Sequence, residues 1–212
     1  MDFEDELNEL APPDVPNRAE IVMKCAAHLR MIVEVNASMN LTRITTPREA
    51  AIKHVADSLV PWRLFADAKQ VLDAGTGAGF PGIPLAIALP EIRFTLTDST
   101  GKKARFVESV AGELRLGNVA VSAQRGEDLC GKENYDLITA RAVAPVSRLV
   151  GWLAPAIRRG AVALLYKGPD AASEIEEAAN DLKRHKVRAD VALRYSLPDG
   201  LGDRSMVRLI LA

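Results

Sequence analysis

"VLDAGTGAGFPGIPLAI", residues 71–87, links two apolar runs through a segment that holds four glycines and two prolines. The first run has the composition of a short buried strand, and the second carries a helix start at Pro81. Where the strand stops decides what the link can hold. If it runs to Gly77, then Gly77, Gly79 and Gly82 satisfy G-x-G-x-x-G, the dinucleotide fingerprint, and Asp98 lies about twenty residues on, as that fingerprint wants. That register places Asp73 and Gly75 inside a central strand, where a charge and a flexible residue are both unfavourable. If the strand stops at Asp73, the segment reads D-x-G-x-G-x-G from Asp73 to Gly79, and every polar and glycine position falls at the rim.

Downstream of residue 70, short β-rich runs alternate with helical stretches. The candidate strands are 70–74, 93–98, 118–123, 135–140, 161–167, 190–195 and 206–211, with helices beginning near Pro81, Gly101, Glu127 and Val146. Such alternation predicts an α/β fold, a doubly wound and mostly parallel seven-stranded sheet covered on both faces. The turn-rich "SLPDGLGDR" before the last strand fits an antiparallel ending. Upstream, Asn17 and Glu20 read as a capping box for a helix through about residue 38, with Ile21, Val22, Cys25, Leu29, Ile32 and Val33 as its apolar positions. Thr46, Pro47 and Glu49 start a second helix whose buried stripe is Ile52, Val55 and Leu59. The expected organisation is an N-terminal helical extension, residues 1–66, packed on a domain formed by 67–212.

Hydrophobic residues make up 48% and charged ones 26% of the 212 positions, an ordinary globular composition. The formal charge of −1 shows no global bias toward a polyanion. Its distribution is uneven: residues 1–20 carry seven acids against Arg18 alone, net −6, which leaves +5 on the rest. The reading for that acidic stretch is a solvated, partly disordered end. Cys25 and Cys130 are too far apart for a metal knuckle and too few for a disulfide framework, which fits a reducing cytoplasm and no metal. The acidic start and the lack of a long uncharged apolar run predict no export signal and no membrane span.

In a doubly wound sheet, ligands sit beyond the carboxyl ends of the strands, where Gly75, Gly77, Gly79 and Gly82 fall. The Asp73-terminated register is the pattern of S-adenosylmethionine-binding methyltransferases. Bare backbone allows close approach, unpaired N–H groups of the helix after Pro81 suit a carboxylate, and Asp98 can accept both ribose hydroxyls. Gly126 and Glu127, in "AQRGEDL", can border the adenine, although such a stretch by itself is also an ordinary helix cap. The segment after strand four, "TARAVAP", is not the Asp/Asn-Pro-Pro-aromatic run of enzymes that methylate an exocyclic amine. Cys130 lies on the wrong segment for a cytosine C5 nucleophile. A ring nitrogen with a free lone pair, such as guanine N7, needs neither device and no general base.

Arg141 and Lys167 end strands four and five and face the expected substrate mouth, where each suits either a phosphate or base contact or a rim salt bridge. "GKKARF" at 101–106 and "KRHKVR" at 183–188 read as solvated helical faces. His54 and Asp57, one helical turn apart, read first as a surface or capping pair and second as a pocket wall.

Taken together, "NLTRITTPREAAIKHVADSL" (40–59), the 71–87 stretch, "FTLTDSTGKKARF" (94–106), "RGEDL" (125–129), "ARA" (140–142) and "KG" (167–168) resemble the ribosomal RNA small-subunit methyltransferase G family over about residues 20–212. The resemblance implies a Rossmann-like class I methyltransferase fold. It implies methyl transfer from S-adenosylmethionine to N7 of one guanine in helix 18 of bacterial 16S rRNA, with naked rRNA or the small ribosomal subunit as partner. By the same matching Gly75, Phe80, Gly126, Glu127 and Arg141 are cofactor contacts, beside Asp73, Gly77, Gly79 and Asp98, and Lys167 belongs to the substrate side. Arg141 and Lys167 are the expected substrate-positioning residues. The chain departs from the family in carrying Val35 and Met39 where members often have Trp and Tyr, and in ending "LILA" where many end in lysine. A monomer is expected.

Overall fold

In the computed structural model, which describes residues 2–212, seven strands form one sheet in the order β3-β2-β1-β4-β5-β7-β6. The strands are β1 (Gln70–Ala74), β2 (Arg93–Thr97), β3 (Val119–Ser122), β4 (Leu137–Arg141), β5 (Val162–Lys167), β6 (Val187–Ser196) and β7 (Asp203–Leu211). The first five are parallel, and β7 enters antiparallel between β5 and β6. Val71, Leu72 and Asp73 have no exposed surface, because β1 lies between β2 and β4 and is covered on both faces, which is why its sequence runs apolar without alternation.

Helices α5 (Gly82–Ala88), α6 (Gly101–Glu113), α7 (Gly126–Lys132) and α8 (Val146–Ile157) are the crossovers expected from the alternation. Two short helices, α9 (Ala171–Glu177) and α10 (Ala179–His185), precede β6. The expected helical face at 183–188 ends at His185. Lys186 turns left-handed (φ 54°), and Val187 and Arg188 already pair with Leu211 and Ile210 of β7. A ladder of that length outweighs the charge of the segment and starts β6 three residues before the expected 190.

The acidic N-terminal stretch is folded, contrary to the solvated end expected from its charge. Helix α1 (Phe3–Leu10) opens on an Asp2/Asp5 capping box and buries Leu7 completely, with Ala11 and Val15 buried after it. Phe3, Leu7 and Leu10 recur at helical spacing and face the core, while the carboxylates pair outward. Asp2 and Glu4 hold Arg30, Asp14 holds Arg63, and Arg48 is gripped by Glu6 (2.9 Å), Glu9 (3.1 Å) and Asp199 of the β6–β7 turn. Glu6 is the buried member of that cluster. Arg48→Ala is expected to lower the thermal midpoint by a few degrees, and the difference from wild type should shrink in high salt, since most of these pairs are exposed. A salt-independent difference, read by calorimetry, would argue for packing instead.

Helix α2 (Arg18–Met39) forms as expected, but not its capping box. Asn17 adopts a left-handed backbone (φ 55°), its side chain donates to the Ala88 carbonyl (3.2 Å), and Glu20 pairs with Lys24. Val33, expected in the apolar stripe, is exposed, one helical step away from buried Ile32. The next helix is broken into α3 (Pro47–Ala50), a π-helical turn (Ala51–Ala56) and α4 (Asp57–Leu59). Thr46 makes no cap bond, and Glu49 pairs with Lys53 (2.7 Å) rather than closing a box. Ile52, Val55 and Leu59 are fully buried, as expected. One apolar core joins Leu7, Ile21, Leu29, Val55 and Leu59 to Val71, Ile83 and Leu96, so residues on both sides of position 66 pack together.

Candidate active site

β1 ends at Ala74, one residue beyond Asp73, and Gly75–Gly79 form the turn that follows. The register with a strand running to Gly77 is therefore not the one the chain adopts. Gly75 (φ 80°) and Gly79 (φ 100°) take backbone conformations that side chains disfavour, which explains the residue type at both. The turn hangs from β2, where the Thr97 carbonyl accepts from the Gly75 and Thr76 amides.

Beyond the carboxyl ends of the strands lies a cleft of about 730 Å³, a size suited to a small-molecule ligand. Gly75, Gly77, Phe80, Asp98, Arg141 and Lys167 are among its walls. A second, more apolar cavity of about 130 Å³ adjoins it and is lined by Gly126, Glu127, Ala140, Val143 and Trp152. Gly75 borders both, and a Cβ there would stand 2.8 Å from Val143 Cγ2. Gly79 lines neither space and packs toward Ile83 and His28; apart from it and Asp73, the candidate residues divide into two adjoining spaces that meet at one bare backbone position.

Asp73 was expected at the rim as a cofactor contact; it is fully buried and lines neither cavity. Its Oδ2 accepts from Thr76 Oγ1 (2.7 Å) and from the Gly82 amide (2.9 Å), so it fastens both ends of the turn from beneath. Burial pushes its carboxyl up to about 6, against the pull of those two hydrogen bonds, and Oδ1 has no partner among the described residues. The α5 amides expected to remain free are also engaged: Gly82 donates to Asp73, Ile83 to the Gly79 carbonyl and Leu85 to the Pro81 carbonyl. Asp98, largely buried at the end of β2, accepts from the Gly77 amide (3.2 Å) and the Thr100 amide (2.8 Å) while still facing the cleft.

Arg141 reaches back from the end of β4 to Asp57 (3.1 Å), the Lys53 carbonyl (3.1 Å) and Ser58. Asp57 also accepts from Tyr195 Oη (2.8 Å), and Arg204 lies 3.6 Å away. His54 and Asp57 are therefore buried walls of the cleft, not a surface pair. The broken helix that carries them packs against the sheet end instead of facing solvent. Lys167 donates to Glu174 (2.7 Å) and to the Ala144 carbonyl (2.8 Å), while Glu174 also accepts from the Val146 amide (3.0 Å). Both strand-end cations are salt-bridged and both still line the cleft. Phe80 lies between the rings of His28 and His54, each 4.7 Å away between centroids.

Sequence reasoning missed His28, Glu174, Tyr195 and Arg204. His28 carried a signal, being a polar residue at helical spacing from Cys25 and Ile32, inside an apolar stripe. Tyr195 and Arg204 had none, since their partner Asp57 stands 138 positions away in the chain or more, and Glu174 lay in an unremarkable acidic helix.

Five basic and three acidic side chains line the cleft, a balance suited to an anionic ligand. Cys130, the cysteine beside these spaces, is buried, and burial pushes its thiol up to about 12, so it does not supply a thiolate. The arrangement can bind and orient, but it presents no activated nucleophile among the described residues. No helix among them is long and apolar enough to cross a membrane.

The family model described as rRNA small subunit methyltransferase G matches residues 22–196. A Solibacter usitatus protein named ribosomal RNA small subunit methyltransferase G is 56% identical over 209 residues, covering 99% of this chain and all of that one. A Sorangium cellulosum protein of the same name is 40% identical, covering 84% of this chain and 77% of that one. Among solved structures, cofactor-bound Rv0187 from MTB aligns with a TM-score of 0.62 at 18% identity, over 87% of this chain and 89% of that one. The O-methyltransferase TomG from Streptomyces achromogenes, in complex with SAM, aligns with a TM-score of 0.58 at 17% identity, over 87% and 90%. At such identities these two similarities concern the fold.

Proposed function

This chain belongs to the rRNA small subunit methyltransferase G family, and from that premise we propose that it transfers a methyl group from S-adenosylmethionine to N7 of one guanine in helix 18 of bacterial 16S rRNA. It is an S-adenosylmethionine-dependent rRNA methyltransferase; the choice of base and position is the finer reading. The observation that carries this reading is a cationic cleft that meets a smaller, apolar cavity at Gly75, with no activated nucleophile in either among the described residues. Its partner is the rRNA itself or the small subunit, and its place of work the cytoplasm.

The residues present fit the cofactor on two counts. The space beyond Gly77 Cα is open, with no atom within 4 Å of where a Cβ would stand, and the smaller cavity beside Gly126 and Glu127 has an apolar lining suited to a base. We assign Gly126 and Glu127 to the adenine end, Asp98 to the ribose hydroxyls, and Gly75, Gly77, Gly79 and Phe80 to the turn that closes over the chain of the cofactor. Asp73 holds that turn without touching the ligand. S-adenosylmethionine supplies an electrophilic methyl group on a sulfonium centre.

With the cofactor bound there, its methyl group would pass to the guanine N7 lone pair, with the electron pair of the C–S bond left on sulfur. No proton has to move, so orientation is the chain's main contribution. Arg141, steadied by Asp57, and Lys167, steadied by Glu174, are the cations we assign to holding the base and its phosphates in line. His54 does not serve as a base for this reaction: burial, with the charge of Arg141 beside it, lowers it to about 3, and N7 carries no proton to remove.

Mass spectrometry of 16S rRNA nucleosides from cells with and without this protein tests the reading. Loss of N7-methylguanosine from helix 18 in its absence is expected, and an unchanged content would overturn it. Asp98→Ala is expected to weaken S-adenosylmethionine binding by about 1–2 kcal/mol, through lost hydrogen bonds to the ribose and a loosened Gly77 amide. An unaltered dissociation constant by calorimetry would remove Asp98 from the site.

A further inference from the structure

We propose that His28, which lines neither cavity, is the positioning residue that sets the cofactor turn and the Phe80 wall of the cleft from within the N-terminal helices. The inference rests on the reading of that turn as the S-adenosylmethionine site.

His28 sits mid-way along α2 with no exposed surface, among Cys25, Leu29 and Ile32. Its Nε2 lies 2.7 Å from the Ala78 carbonyl oxygen and donates to it, which places the proton on Nε2. The ring stacks on Phe80 at 4.7 Å with planes inclined by 23°, and Phe80 stacks in turn on His54 at 4.7 Å and 11°. The Arg141 guanidinium carbon stands 5.5 Å from the Phe80 ring centroid. Ala78, Phe80, His54 and Arg141 all face the cleft. His28 therefore touches, directly or through one ring, the cleft wall on that side.

The residue type is informative. A core position that only fills space favours hydrocarbon, because burying an imidazole costs free energy unless its nitrogens are paired. Here Nδ1 has no partner among the described residues, so one nitrogen is buried without compensation. Phenylalanine would keep the stack and carry no unpaired nitrogen, with a somewhat larger ring. What imidazole adds is the hydrogen bond to Ala78, which points the carbonyl of the 78–79 peptide toward α2. The fit is close: a Cβ on Gly79 would stand 3.0 Å from His28 Cε1. The amides of Gly79 and Phe80 both donate to the Thr76 carbonyl, so fixing Ala78 fixes the turn between them.

His28→Phe, which keeps the ring and drops the hydrogen bond, and His28→Gln, which keeps a donor and drops the stack, separate the two contacts. In the full-length chain we expect each to raise the dissociation constant for S-adenosylhomocysteine at least fivefold. Faster hydrogen exchange is expected at the Gly79 and Phe80 amides of the ligand-free protein. Turnover at saturating S-adenosylmethionine should stay within about twofold of wild type, and the loss of affinity should exceed what any fall in thermal midpoint accounts for. Dissociation constants and exchange rates unchanged in both variants would overturn the proposal, as would losses that merely track the thermal midpoint or a failure of both variants to fold, since each makes His28 an ordinary core residue. Absence of S-adenosylhomocysteine binding by the wild type would instead count against the proposed function. The ligand-free exchange rates would still decide the role of His28.

Discussion

Gly82→Ala is expected to destabilise the fold by about 3 kcal/mol and to lower S-adenosylmethionine affinity more than tenfold. Gly82 opens α5, and a Cβ there would stand 2.2 Å from Leu96 Cδ2 and 2.7 Å from Asp73 Oδ2. Neither neighbour can yield: Leu96 is fully buried in β2, and Asp73 is held by Thr76 from the other side. Overpacking of this kind in a filled core typically costs about 1–3 kcal/mol. The displaced Gly82 amide would also stretch its bond to a buried carboxylate, which adds to the loss. Because Asp73 fastens Thr76 and Gly82 together, a shift at the helix start reaches the turn, so binding should suffer beyond what stability alone explains. Denaturant titration and calorimetry on the same preparation check both halves. Wild-type affinity in a destabilised but folded variant would show that the turn does not depend on the helix start.

Period and punctuation made the sheet legible. Five parallel strands, their crossovers and the antiparallel ending follow from apolar runs alternating with helical stretches. The expected β1 at 70–74 coincides with the observed strand, because the left-handed glycines from Gly75 onward stop it; Asp73 lies inside the strand, buried and paired on both sides, although its charge suggested the rim. Errors arose where a local rule met a distant partner. Charge counting suggested that residues 1–20 are solvated, yet Phe3, Leu7 and Leu10 anchor α1, and the acids of that stretch find Arg30, Arg48 and Arg63 on other elements. The same holds at the site. Residues carried by the turn and strand ends were visible, because topology alone puts them at the cleft. Of the opposite wall, His54 and Asp57 were visible only as a second reading, and Arg204, with His28 and Tyr195 behind it, was not, since these parts come from α2, the broken helix and the last two strands. Asp73 is legible as a residue that matters to the turn, but not in its role. An acid at that spacing can serve the ligand or the turn, and only its burial distinguishes the two.

Acidification from pH 7 to pH 5 is expected to remove about 2–3 kcal/mol of folding free energy, the net of two buried histidines beside the cleft and an opposing Asp73 beneath the turn. Burial lowers His28 to about 4, with the hydrogen bond to Ala78 in opposition. Burial, then the charges of Arg141, His28 and Lys53, lowers His54 to about 3. In the unfolded chain both titrate near 6.5. For a base whose folded value lies below its unfolded one, the unfolded chain binds protons first, so stability is complete above 6.5 and is lost as the pH falls through 6.5 toward the folded values. At pH 5 that amounts to about 2 kcal/mol for each histidine. Asp73 acts in the other direction. Its folded value of about 6 lies above the 3.8 of a free carboxyl, so the folded chain takes up that proton first and recovers about 1 kcal/mol at pH 5. The histidines prevail. Denaturant unfolding at the two pH values measures the difference, and His54→Gln should remove about 2 kcal/mol of it. A wild-type protein equally stable at pH 7 and pH 5 would mean that these imidazoles are protonated in the fold, and the ring stack around Phe80 would then have to be opened to water.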